Sequence, residues 1–167
     1  IVHGIDFSRL NIERSLDINT LELDVFFGQR YLVTHHGEPS LRSIKDLHKD
    51  VCEPGHRPWT AVRLLHRMLD RLVDNFLPVM DQVGVKLELL EDQIIHSPEP
   101  DLLERVLDAK KSIQRIRRMT AHQRLILESL ARGHLELIER ESLAFFRDIY
   151  DHFVRVADLA EAYREGA

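Results

Sequence analysis

From Thr60 onward, apolar residues recur every three or four positions, and this spacing constrains the fold more than any other feature of the chain. Val62, Leu65, Leu69, Val73 and Phe76 open the series, which continues through Val79, Met80, Val83, Leu87 and Leu90 to Ile94. Such a stripe is one face of a helix, buried against something else. Three interruptions cut it. Pro78 lacks a backbone donor and clashes with the preceding turn, which predicts a bend near Asn75 to Leu77. Ser97-Pro98-Glu99-Pro100 ends the first arm, and Asp101 stands where it caps or opens a second arm carrying Leu103, Val106, Leu107, Ile113, Ile116, Leu127 and Leu130. Gly133 breaks that arm, and a third helix is expected from about Leu135 to the end. In it Ser142, Ile149, Val156 and Tyr163 fall seven apart, with Phe145, His152 and Leu159 as the companion set of a coiled-coil-like stripe.

The first part of the chain has a different pattern. Short apolar bursts at Ile1 to Phe7, Leu21 to Phe27 and Tyr31 to His35 predict strands. Gly28-Gln29-Arg30 is a hairpin connection in which Gly28 is free to take positive φ. Ser8 to Thr20 is more polar and is expected to be a loop, with Leu10, Ile12, Leu16 and Ile18 leaving room for a short strand or turn. Ser40 is placed to cap a helix over about Leu41 to Val51 whose face is Leu41, Ile44, Leu47 and Val51, and Glu53-Pro54-Gly55-His56-Arg57-Pro58 breaks it. The fold class is therefore α/β in the α+β, helix-rich sense: a partial β-sheet with a helix over residues 1–57, a long charged helical hairpin over 58–134, and a long C-terminal helix over 135–167. Acidic Glu88, Glu91 and Asp92 on one arm of the hairpin are expected near basic Lys110, Lys111, Arg115, Arg117 and Arg118 on the other.

Composition narrows the function. A formal charge of -5 argues against a nucleic-acid partner, because phosphate contacts need a concentrated basic surface. A single cysteine, Cys52, excludes an internal disulfide framework and is expected to be structural. No run approaches the roughly 18 apolar residues that cross a bilayer. The chain opens on Ile1-Val2-His3 without Met, and its last stripe runs almost to Ala167, so the expectation is a soluble piece of something longer.

Phosphate-binding glycine loops, paired-cysteine zinc frameworks and nucleophile elbows are all missing from the sequence, so it gives no start to an enzyme. His35 and His36 are adjacent on a strand end and point to opposite faces, a poor arrangement for chelating one ion. Asp148, Asp151 and His152 differ: residues three and four apart on a helix lie within about 5–6 Å, so they can share a cation or its hydration shell, given further ligands from elsewhere. Few carboxylates and many waters suit Mg²⁺, whereas the imidazole of His152 keeps Co²⁺, Ni²⁺ or Zn²⁺ in play. Asp70 and Asp74, also four apart, have the spacing of carboxylates solvated beside an apolar stripe. A helical interaction module, in which Phe145, Ile149, Val156 and Tyr163 bind a partner helix, is the competing expectation.

Four segments resemble the cytoplasmic domain of the CorA family of magnesium and cobalt transporters. Glu22 to Thr34 resembles its strand-turn-strand, Leu69 to Pro78 the start of its long helix, Leu89 to Ile94 its acidic arm, and Phe145 to His152 the start of its stalk helix. The resemblance implies a domain on the cytoplasmic side of the inner membrane, in a homopentamer whose stalk continues into membrane helices absent here. It further implies divalent cations, Mg²⁺ with Co²⁺ or Zn²⁺ as alternatives, bound at subunit boundaries to hold the pore shut. Asp148 falls on the matching stalk position and Asp70 on a second acidic position, with Asp151 and His152 as neighbours. The family's other principal aspartate would precede Ile1. Its Gly-Met-Asn pore motif is also missing, so this stretch is expected to sense rather than conduct. A zinc transporter of the same architecture is the alternative within the family.

Overall fold

The computed structural model describes residues 1–6, 12, 16, 18–37, 41–53, 59–96 and 100–166. Three strands, β1 (Val2–Ile5), β2 (Thr20–Gly28) and β3 (Tyr31–His36), form an antiparallel sheet in the order β1-β2-β3. Val2 pairs with Leu23, and Leu23 with His36. Alternation places Val2, Leu23, Val25, Phe27 and Leu32 on the face that packs into the core, while Phe26, Tyr31 and Val33 remain exposed on the other. The hairpin was expected to turn on Gly28. Instead Gly28 is the last ladder residue, paired with Tyr31, and the turn is Gln29-Arg30. Its missing side chain serves close approach: a Cβ there would stand 2.5 Å from the Tyr31 ring. Of the expected loop, Ile12, Leu16 and Ile18 are described and buried, Leu16 with φ at +48°, whereas Leu10, like Phe7 at the end of the expected first strand, lies outside the described residues.

Helix α1 (Arg42–Cys52) begins at Leu41, which makes no side-chain cap; Ser40 lies outside the described residues, as do residues 54–58 of the expected break. Leu41 and Leu47 are buried, but Val51, expected on the same face, is exposed, because α1 leaves the core before its last turn. Cys52 is exposed rather than structural in the core. Helix α2 (Ala61–Asp74) is capped by Thr60, whose hydroxyl accepts from the Arg63 N–H at 3.2 Å. It is held to α1 by Asp50, which accepts from Arg71 and pairs with Arg67 at 3.5 Å. The interruption ahead of Pro78 falls where the bend was expected: α2 ends before Asn75 and the helix resumes as α3 (Phe76–His96).

Helix α4 (Leu102–Ala131) starts after Asp101, whose side chain makes no cap bond. Leu103 and Leu107, counted on its apolar pattern, are exposed, because Leu102, Ala109, Ile113, Ile116 and Leu127 form the side that packs inward. Gly133, at φ +75°, ends α4 in a Schellman motif, with His134 N–H donating to Ser129 C=O and Gly133 N–H to Leu130 C=O. The last helix was expected from about Leu135. The chain instead makes a turn closed by Ile138 N–H on Leu135 C=O and a 3₁₀ turn at Arg140–Ser142 before α5 (Leu143–Gly166).

Helix α5, not α3, is the principal partner of α4. Arg117 of α4 pairs with Glu161 of α5. Of the charges expected to meet across α3 and α4, Lys111 pairs with Asp108 on its own helix and Asp92 with His96, while Arg105 donates to Gln93 at 2.9 Å where the two arms meet. The buried stripe of α5 is Phe146, Ile149, Phe153, Val156 and Ala160, so the companion set is shifted by one residue from the expected Phe145, His152 and Leu159. Among the described residues, no helix is long and apolar enough to cross a membrane.

Candidate functional site

Helices α2 and α5 run side by side in the same direction, which their paired residues show. The His66 ring of α2 meets Phe145 and Phe146 edge-on, with centroids 5.5 and 5.8 Å away, and further along both chains Phe76, the first residue of α3, meets Phe153 at 5.7 Å. The buried rings of Phe76, Phe146 and Phe153 anchor this seam, since edge-to-face packing sets both distance and rotation. Beside it lies a groove of about 530 Å³ lined by Trp59, Arg63, His66, Arg67, Phe145 and Phe146.

Along the rim of the seam the expected site residues fall into two groups. Asp70 of α2 is partly buried and accepts from Arg67 Nη1 at 3.3 Å. Asp148 and His152 of α5 are exposed on the side of α5 that faces α2. The charges of Asp70 and Asp148 both act on His66: burial pushes its pKa down, Asp70 and Asp148 pull it up, and Arg67 adds to the lowering. Asp74, one turn beyond Asp70, has its carboxyl pKa raised, first by desolvation and then by the like charge of Asp70, with His152, Arg67 and Arg71 opposing. Asp70, Asp74, Asp148 and His152 thus belong to one electrostatic neighbourhood.

Asp151 does not join them. At about 100° per residue it points away from the buried Ile149, Phe153 and Val156 stripe, into solvent. Among the described residues no three of His, Cys, Asp or Glu come close enough to hold a metal ion, so Asp148, Asp151 and His152 are not by themselves a three-ligand centre. What the rim offers is hard carboxylate oxygens, exposed at Asp148 and partly buried at Asp70, which fit a hydrated cation completed by donors from another surface. His66 and Asp74 were not among the residues singled out for the site; the only signal for them was their four-residue spacing to Asp70 on α2.

Residues 5–167 match the family model described as CorA-like Mg2+ transporter protein. The chain is 31% identical over 109 residues to the cobalt/magnesium transport protein CorA of Thermotoga maritima, covering 65% of this chain and 31% of that protein. It is 26% identical over 156 residues to the putative metal ion transporter YfjQ of Bacillus subtilis, covering 89% and 46%. The chain therefore spans less than half the length of these curated relatives. In fold it is similar to the soluble domain of CorA from Methanocaldococcus jannaschii, with a TM-score of 0.82 at 22% identity, over 99% of this chain and 64% of that one. A similar likeness holds for the ZntB cytoplasmic domain from Vibrio parahaemolyticus, with a TM-score of 0.76 at 17% identity over 99% and 62%. The match of the family model over nearly the whole chain, on a fold of this kind, means that the chain belongs to the family of CorA-like Mg2+ transporter proteins.

Proposed function

We propose that this chain is the metal-sensing part of a CorA-type divalent cation transporter, on the cytoplasmic side of the inner membrane, and that it biases the gate by binding Mg²⁺ or Co²⁺ at the boundary between copies in a homopentamer. The observation that carries this reading is the α2–α5 rim, where Asp70 and Asp148, distant in sequence, act on the same imidazole, Asp148 exposed and Asp70 held by Arg67, without a third ligand among the described residues. Asp148 is the primary ligand and Asp70 the secondary one. His152 supports them, and Asp151 faces the neighbouring copy. Mg²⁺ gives up its waters reluctantly and is commonly held by one or two carboxylates, which suits a site built half on each copy.

Regulation follows from linkage. Metal that binds the closed arrangement better than the open one shifts the population toward closed by the difference in affinity, and its loss leaves facing carboxylates to repel one another. A zinc transporter of the same architecture is the second reading. It draws on His66, whose lowered pKa keeps the imidazole neutral and able to donate its lone pair near the same carboxylates.

Thermal unfolding of the chain, titrated with Mg²⁺, Co²⁺ and Zn²⁺ at fixed ionic strength, tests the assignment beside Asp148→Ala and Asp70→Ala. Ligand bound only by the folded state raises the midpoint by mass action. The expected result is a rise with Mg²⁺ and Co²⁺ that Asp148→Ala removes and Asp70→Ala weakens. A rise confined to Zn²⁺ selects the second reading, and a rise that both variants keep in full removes these residues from the site.

A further inference from the structure

The groove beside the α2–α5 seam has a chemistry that the metal site does not use. Its volume of about 530 Å³ lies within the range of about 300–1,000 Å³ that takes an organic ligand. Aromatic side chains reach it from two separate segments, Trp59 ahead of α2 and Phe145 with Phe146 from α5. The His66 ring meets both phenylalanines edge-on, which fixes their orientation. Phe145 nevertheless remains 57% exposed, so more than half of it is uncovered where it lines the groove.

Two guanidinium groups share this lining, and they are held differently. Arg67 is matched inside the protein, by Asp50 at 3.5 Å and Asp70 at 3.3 Å, and Asp50 also accepts from Arg71. Arg63, one turn earlier on α2, lies over the Trp59 ring instead, 4.7 Å from its centroid, and is exposed. Stacking uses the face of a guanidinium, whereas its N–H donors point along its edge. Among the described residues the lining thus sets Arg63 and Arg67 against one acid, Asp50. Asp70 stands two turns beyond Arg63, about 10 Å along the α2 axis, and neither it nor Asp148 lines the groove.

We propose that this groove binds a small aromatic anion, a flat ring seated against Trp59, Phe145 and Phe146 with its phosphate or carboxylate on the edge of the Arg63 guanidinium. Stacking on aromatic side chains suits any flat ring, and a guanidinium pairs with carboxylate or phosphate oxygens through two parallel N–H bonds. Each other occupant leaves part of the lining unmatched. An apolar ligand, or an apolar side chain of a partner, desolvates Arg63 and Arg67 without an anion to offset the cost. A bare inorganic anion leaves the three rings unused, and a cation meets two guanidiniums against one carboxylate. Asp50 of α1, Arg63 of α2 and Phe145 of α5 all line the groove, so its occupant bridges three helices. The rim carboxylates take no part, so the site stands or falls independently of the metal reading.

Calorimetric titration of the chain in chelator, at fixed ionic strength, provides the test, with AMP as the ring phosphate and naphthoate as the ring carboxylate. At least one of them is expected to bind with a Kd below about 1 mM, and the tighter one names the anionic group. Adenosine and naphthamide keep the ring without the charge, ribose phosphate and acetate the charge without the ring, and each is expected to bind at least ~10-fold more weakly than its parent. Trp59 is the single tryptophan of the chain, so quenching of its fluorescence at the calorimetric midpoint places AMP in the groove. Arg63→Gln and Phe145→Ala are each expected to weaken binding at least ~10-fold. Both side chains are exposed, and Thr60 caps α2 through the Arg63 backbone N–H, which Gln keeps, so an unchanged thermal midpoint accompanies the loss. No binding of either ligand up to about 10 mM overturns the proposal. So do a control that binds as tightly as its parent, AMP that binds without quenching, and a variant that keeps full affinity.

Discussion

The hydroxyl of Tyr163 lies 2.5 Å from the point where a Cβ on Gly84 would stand, with the ring carbon Cζ at 3.0 Å. Helix α5 therefore approaches α3 over a bare backbone, and the phenol fills the space that a side chain would occupy. Two effects of Gly84→Ala oppose each other. Alanine gains about 1 kcal/mol of helix propensity in mid-helix, whereas overpacking costs about 1–3 kcal/mol. The clash wins here because ring atoms as well as the hydroxyl are in the way. Gly84→Ala is expected to lower stability, and in a Tyr163→Ala background the same change becomes stabilising. Urea unfolding of the four chains measures this sign reversal. A more stable Gly84→Ala single variant would show that the phenol swings aside freely.

Phe153 and Phe145 separate the observed stripe of α5 from the one its spacing suggests. Phe153 is fully buried against Phe76, while Phe145 is 57% exposed and touches the His66 ring. Phe153→Ala is expected to cost about 3–5 kcal/mol through lost transfer energy and an unfilled cavity. Phe145→Ala is expected to cost under about 1 kcal/mol, as surface changes do. Urea midpoints decide it, and equal losses at the two positions would mean that α5 is rotated from the arrangement described.

That one-residue offset illustrates what the sequence could and could not carry. Ser142, Ile149, Val156 and Tyr163 are legible as a repeat, but a helix repeats at 3.6, and a companion three or four residues on satisfies the count equally. The choice of Phe146, Phe153 and Ala160 is made by α2, α3 and α4, which the spacing of α5 does not report. Local chemistry was more legible: Pro78 and Gly133 break helices through their own backbones, and the breaks stand at Asn75 and Gly133. The start of α5 was not, because Leu135 and Ile138 fit a helical spacing while belonging to a turn. Asp148 came forward through its spacing to Asp151 and His152 and again through the resemblance, and Asp70 through the resemblance. His66 stayed hidden because its importance comes from Phe145, Phe146 and Asp148, which tertiary packing brings to it.

Asp74 is a carboxylate that the fold disfavours in its charged form. Its folded-state pKa is raised above the ordinary 3.8, first by desolvation and then by Asp70. The folded chain thus holds that proton more tightly than the unfolded one, and the destabilisation is fully present once the pH exceeds the folded value. Asp74→Asn is expected to be more stable than wild type at about pH 7, with the advantage shrinking toward about pH 4, where the wild-type carboxyl is itself increasingly protonated. Thermal midpoints at the two pH values are the measurement. A destabilised Asn variant at neutral pH would mean that the attraction of His152, Arg67 and Arg71 outweighs burial.

His66 works in the opposite sense. Burial lowers its folded-state pKa below the ordinary 6.5, although Asp70 and Asp148 pull it upward. The unfolded chain therefore takes up the proton first as the pH falls. Stability that is complete above pH 6.5 is lost as the pH drops through that value toward the folded one. His66→Phe keeps a ring against Phe145 and Phe146 but removes the proton, so its stability is expected to change less than that of wild type between about pH 7.5 and about pH 5.5. Some slope persists, because His3 is also lowered by burial. Asp148→Asn removes part of the upward pull, drops the folded value further and steepens the loss. Denaturant midpoints across this range read both effects. A His66→Phe chain with the full wild-type slope would place the titration elsewhere, and an Asp148→Asn chain with a shallower slope would mean that the Asp148 charge does not reach the His66 ring across the α2–α5 seam.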